Sequence, residues 1–132
     1  MVKELGSVDV FACMLGTNDV FLTMRPDASA AERRMDAFLS YLGTKETIGN
    51  ILLIAPPAVS REAAADTAMT AYIRESEKLP ELYRTLAERH RVFFIDANAW
   101  QIPMVFDAVH FSEEGHRIFA EHMEKCLNEL FS

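Results

Sequence analysis

Three short apolar runs alternate with three amphipathic stretches, and that alternation limits the fold more than any other feature of the chain. Asp9 to Leu15 is of strand length and lies between Gly6-Ser7 and Gly16. Asn50 to Ala55 reads NILLIA, apolar on both faces as a central parallel strand is, and Pro56-Pro57 ends it. Val92 to Ile95 (VFFI) is the third run. Between the first two, Ser29-Ala-Ala-Glu32 matches a capping box, Met35, Phe38, Leu39 and Leu42 follow at helical spacing, and Gly43 is a stop. Leu79, Leu82, Tyr83 and Leu86 predict a second helix, with Pro80 in its first turn and His90 and Arg91 at its end. Ser112 is expected to cap a last helix whose buried stripe is Phe119, Met123, Cys126, Leu127 and Leu130. Phe21 to Ala28 and Phe106 to Phe111 read as loops. Arg61 to Ala71, poor in large apolar groups, reads as a mobile surface loop or weak helix. Strand-helix alternation gives a parallel sheet with right-handed crossovers and helices on its faces, an α/β fold. At 132 residues the chain suits one domain.

Net charge is -7 and the sequence pI is near 5.0, which argues against nucleic acid and against anionic membrane surfaces as partners. The first apolar run is too short to span a bilayer, and no signal-peptide pattern precedes it. Cys13 falls in a strand pattern and Cys126 in a helix pattern, so both read as buried thiols, and a cytoplasmic location is expected. No cofactor is expected. Among the four histidines only His116 and His122, six apart, approach a zinc-ligand spacing, so no metal is expected either.

In a parallel sheet all strand C-termini lie at one edge, where such folds bind ligands. That edge collects Thr17, Asn18 and Asp19 after the first strand, Pro56-Pro57 after the second, and Asp96 to Trp100 after the third. The loop with Asp107 and His110 comes next. Three residues apart, these two can be aimed the same way by one turn of chain. An Asp that accepts from one imidazole nitrogen leaves the other free as a base. An Asn at a neighbouring strand tip can donate to a developing oxyanion. Asn18-Asp19 also suits a plain turn, and His110 alone would suit a structural histidine. Trp100 reads equally as pocket lining and as loop packing. His116 and His122 read as surface or packing residues, and His90 as a cation at a helix C-terminus.

At these positions the chain resembles the SGNH hydrolases, the GDSL lipase/acylhydrolase (esterase) family. Gly16-Thr17-Asn18-Asp19 is similar to the family's Gly-x-Asn-Asp block, and Asp107-Ala-Val-His110 to its terminal Asp-x-x-His block. Phe111 to His116 and ILLIAPP add to the likeness, which runs from about Asp9 to the last helix and looks closest to the arylesterase-like branch. The resemblance implies a three-layer αβα, flavodoxin-like fold and hydrolysis of small-molecule carboxylic esters. It makes His110 the general base, Asp107 its orienting partner, Asn18 and Gly16 parts of the oxyanion block, and Asp19 a brace for that loop.

The family's Gly-Asp-Ser nucleophile block is not found in the chain, where thirteen residues precede Met14 and the nearest string is Gly6-Ser7, before the strand. The chain therefore reads as the C-terminal portion of such a hydrolase, lacking the N-terminal strand or strands of the sheet. Ser60 and Ser112 are the serines nearest the required edge and the candidate substitute nucleophiles. Ser29, Ser40, Ser76 and Ser132 read as caps, helix surface, loop or terminus. Without its family neighbour, Asp9 to Leu15 becomes an apolar edge strand with only Asp9 to defend it. The expected partner at that edge is a second copy, giving a homo-oligomer such as a dimer, or a complementing chain. The alternative is a non-catalytic interaction module that dimerises through that edge.

Overall fold

The computed structural model describes residues 6–21, 24–64 and 67–132. Its sheet has three parallel strands in the order β1 (Val8–Cys13), β2 (Ile48–Ala55), β3 (Phe93–Asp96). Val8 aligns with Ile48 and Cys13 with Leu53, while Leu52 aligns with Phe93 and Ala55 with Asp96. The register brings the three C-terminal ends to one edge. β2 is central because both its faces are apolar: Leu52, Leu53, Ile54 and Ala55 are all buried. Strand alternation sends Leu53 and Ala55 to one side with Cys13, and Leu52 and Ile54 to the other with Ile95.

Helices lie on both faces. α2 (Ala28–Gly43) and α4 (Leu79–His90) cover the first, packing Met35, Leu39, Leu79, Tyr83 and Leu86 against it. α5 (Glu113–Phe131) covers the second with Phe119, Met123, Cys126 and Leu127. The expected buried stripe of α5 is only half-buried, and Leu130 is 38% exposed. The reason is that among the described residues no second helix joins α5 on that face.

Local corrections have physical causes. Asp27, not Ser29, caps α2, its carboxylate accepting from Ser29 N at 2.9 Å. The preceding helical N–H, on Ala28, is taken at 3.2 Å by Glu75, a partner 47 residues away that local pattern cannot reveal. Thr17-Asn18-Asp19 forms the start of a short helix, α1 (Thr17–Phe21). The stretch read as loop or weak helix holds a 3-10 turn (Thr67–Met69) and leads into α3 (Thr70–Ser76), with residues 65 and 66 outside the description. α3 has little local signal but buries Ile73 and Ser76, so tertiary contacts hold it. Ser76 is thus a core residue and not a surface one. No helix among the described residues is long and apolar enough to cross a membrane.

Candidate active site

Gly16 directs the end of β1. Its φ is 132°, and a Cβ there would lie 2.1 Å from Tyr83 Oη. Tyr83 is fully buried, and its hydroxyl donates to the Leu15 carbonyl at 2.8 Å. α4 therefore pins the strand tip, and only a glycine lets the two approach. The chain turns at once into α1, with Val20 N donating to Gly16 O at 3.2 Å. Asn18 and Asp19 thus stand at the sheet edge. Arg34 Nη1 of α2 donates to Asp19 Oδ1 at 3.1 Å and ties α1 to α2.

The second element is the turn from Met104 to Phe111, which an antiparallel bridge between those two residues closes. Val105 N donates to His110 O at 2.8 Å, and Ala108 N to Val105 O at 2.9 Å. Ala108 is buried with a left-handed φ of 65°, unfavourable for a residue with a Cβ. The turn aims Asp107 back along its own chain. Asp107 Oδ1 accepts from Val109 N and from His110 N at 2.9 Å each, and Oδ2 accepts from His110 Nδ1 at 2.5 Å. A carboxylate can only accept, so Nδ1 carries a proton, and in the neutral form of the ring the lone pair is on Nε2. The backbone N–H groups of His110 and Val109, then the imidazole, hold the Asp107 carboxyl down at about 2. The imidazole is 79% exposed, and Nε2 has no hydrogen-bond partner among the described residues.

A cleft of about 330 Å³ joins these elements, lined by Gly16, Thr17, Asn18 and Asp19, by Pro56 and Pro57, and by Val109, His110 and Phe111. His116, in the first turns of α5 and edge-on to Phe111 at 5.3 Å, lines it too. Its place one helical turn from the cap Ser112 was the available signal. Trp100 packs elsewhere, stacked on His122 at 4.8 Å and edge-on to Phe119 at 5.6 Å. His90 pairs with Asp36 at 2.6 Å at the end of α4.

The structure employs the candidate serines in other bonds. Ser112 Oγ caps α5, accepting from Gly115 N at 3.0 Å and donating to Pro103 O at 3.1 Å. Ser60 Oγ accepts from Ala63 N at 3.1 Å. Ser60 lines a neighbouring groove of about 1040 Å³, and neither serine lines the cleft. Gly6 and Ser7 precede Val8 at the opposite end of β1. Burial pushes the Cys13 thiol up to about 11, which suppresses its nucleophilic form. Among the described residues no cluster of three or more His, Cys, Asp or Glu side chains is placed to hold a metal.

A parallel α/β sheet thus carries a histidine-carboxylate pair beside an Asn-Asp tip at the C-terminal edge of its strands. Residues 2–118 match the model of the GDSL-like lipase/acylhydrolase family, and the chain belongs to that family. Solved structures share the fold. A carbohydrate acetylesterase from Sinorhizobium meliloti superimposes with a TM-score of 0.77 at 22% identity, over 94% of this chain and 62% of that one. A carbohydrate acetylesterase family member from the same organism gives 0.75 at 24%, over 92% and 61%. The native aryl esterase of M. smegmatis gives 0.74 at 20%, over 94% and 62%. The chain thus spans about three fifths of the length of the solved structures it resembles. A comparison with curated proteins finds no match.

Proposed function

We propose that this chain supplies the base and part of the oxyanion site of a serine hydrolase of small carboxylic esters. One observation carries the reading: Asn18 and His110 line the same cleft while Asp107 holds the His110 imidazole from behind. His110 Nε2 takes the proton of a serine hydroxyl as its oxygen attacks the ester carbonyl, and returns it to the leaving alcohol. Asp107 stays ionised, fixes the tautomer and stabilises the imidazolium. The Asn18 amide donates to the oxyanion, Gly16 makes the turn that presents it, and Asp19 braces the element. A cleft of about 330 Å³ suits a short acyl group, and the acetylesterases and aryl esterase among the structural neighbours support that choice. The nucleophile comes from a segment seated beside β1 that these 132 residues do not contain, either preceding them or on a complementing chain. Ser60 or Ser112 as the nucleophile is the lesser variant of the same reading.

A non-catalytic module that dimerises through β1 is the second reading. It is favoured by the exposure of Ala12 on β1, which has one neighbouring strand among the described residues, and of Leu15, 55% exposed, just past the end of β1. The deciding experiment uses a fluorophosphonate probe and p-nitrophenyl acetate. They are applied to the chain alone and to a chimera with the N-terminal segment of the M. smegmatis aryl esterase placed before residue 6. Turnover and one adduct, both lost in His110→Ala, support the hydrolase. A folded chimera that neither turns over nor labels sinks it, and a dimer by analytical ultracentrifugation then favours the module.

A further inference from the structure

Ser76, at the end of α3, is 1% exposed. Its Oγ accepts from Val59 N at 2.9 Å and donates to Ile73 O at 2.9 Å. Val59 is itself buried, so its N–H has no access to water. The next residue, Ser60, donates its N–H to the Ala108 carbonyl at 2.9 Å. Ala108 is the left-handed residue between Asp107 and His110. Val59, Ile73 and Ala108 form one small buried cluster, on which Val109 and Phe21 of α1 also pack. Phe21 stacks on Tyr72 of α3 at 4.6 Å. α3 therefore supports both sides of the cleft.

We propose that Ser76 is a positioning residue for His110: its hydroxyl anchors Val59-Ser60, and Ser60 N–H in turn holds the Ala108 carbonyl and the turn that presents the imidazole. Without the hydroxyl, Val59 N–H is left unpaired in an apolar cluster, a state that proteins avoid by moving the backbone. The segment that moves is the one clamping Ala108. Ala108 then relaxes from its unfavourable φ, and the His110 Nδ1–H bond to Asp107 opens. Ile73 O keeps a partner, since Glu77 N donates to it at 3.0 Å, so the damage runs toward Val59 and not into α3.

This role rests on reading Asp107 and His110 as a catalytic pair, but its test reads the imidazole directly and needs no turnover. In the chain labelled with 15N-histidine, the downfield Nδ1–H proton of His110 and its tautomer are followed by NMR. Ser76→Ala speeds solvent exchange of that proton by about tenfold or more, as expected when an unpaired buried donor destabilises the turn. Ser76→Thr keeps the hydroxyl and keeps the signal. Leu39→Ala, a cavity in the core under α2, lowers the melting temperature and leaves the signal unchanged. If Ser76→Ala does not fold, Ser76→Cys, with a weaker acceptor of similar shape, is read in its place. A Ser76 variant that loses stability while its His110 signal matches the wild type overturns the proposal. In the chimera the same variant lowers kcat and spares KM. Absence of turnover in every variant speaks against the esterase reading and leaves the NMR result standing.

Discussion

The two faces of the sheet are made from the same three strands and are covered to different depths. Under α2 and α4, Leu39, Leu42, Leu79, Tyr83 and Leu86 are all 1% exposed or less. Under α5, Phe119, Met123, Cys126 and Leu127 reach only half-burial. Both sets sit on amphipathic helices with an apolar stripe. A stripe says which side of a helix seeks cover, and the neighbouring elements decide how much cover it gets. The site takes its rigidity from the closed side, where Tyr83 pins the tip that carries Gly16 and Arg34 braces Asp19. Among the described residues no strand lies beyond β1 at its edge of the sheet, and by the proposed reading a further segment is seated there.

The largest expected effect tests that contrast directly. Leu39→Ala should cost about 3–5 kcal/mol, the range for a leucine deleted from a core that cannot collapse. Leu127→Ala, on the half-covered face, should cost less than about 2 kcal/mol, because part of its surface already meets water. Urea denaturation of the two variants measures both. Equal losses would break the comparison and show α5 to be as tightly packed as α2. A smaller effect follows from Tyr83→Phe, which removes the hydrogen bond to Leu15 O from the closed face. A loss of about 1 kcal/mol is expected. If the tip is pinned from this side, the Asn18 amide resonances should shift in the same variant. A variant with wild-type Asn18 shifts would mean that α1 holds its place without α4.

The thiols offer a third probe, of rate and not of stability. Burial raises the Cys13 thiol to about 11 and also raises that of Cys126, whose residue is only half-buried. Iodoacetamide should therefore label Cys126 well before Cys13, by peptide mass mapping. Adding the nucleophile-bearing segment should slow Cys126 if that segment extends over the α5 face, and leave it unchanged if it contacts β1 alone. Faster labelling of Cys13 would reverse the assignment of open and closed faces.

Much of this arrangement was legible in the sequence because it is local or periodic. NILLIA announced a strand buried on both faces, and Asp-x-x-His needed only one turn of chain to form its hydrogen bond. The resemblance made Gly16 part of the oxyanion block, but its deeper constraint, the approach of Tyr83 from 67 residues further on, is tertiary. α3 escaped for the same reason. REAAADTAMTA has too few large apolar groups to signal a helix, and Ile73 and Ser76 are buried by what they meet across the fold. The cap of α2 was misplaced by two residues because Ser29-x-x-Glu32 and Asp27 compete for the same N–H groups, and Glu75 settles which turn is first. Which serine, if any, attacks was not legible, since a nucleophile is defined by convergence on His110 and not by spacing.

The smallest effect concerns the half-exposed turn itself. The Asp107 carboxyl sits near about 2 in the fold, below its ordinary 3.8, because the N–H groups of His110 and Val109 and the imidazole all favour the anion. A folded-state value below the unfolded one stabilises the fold wherever the group is ionised in both states. That contribution is full above pH 3.8 and is lost as pH falls from 3.8 toward about 2. Asp107→Asn removes it. The difference in urea-derived stability between wild type and variant should stay constant at higher pH, shrink across that window and level off below it. Because solvent screens the group, the difference should be smaller than that of either core variant. A wild-type minus Asp107→Asn difference that stays flat across the window would mean that the three hydrogen bonds do not hold the anion in solution. The rigidity that lets an exposed histidine keep one tautomer would then have to come from the buried cluster under Ala108 alone.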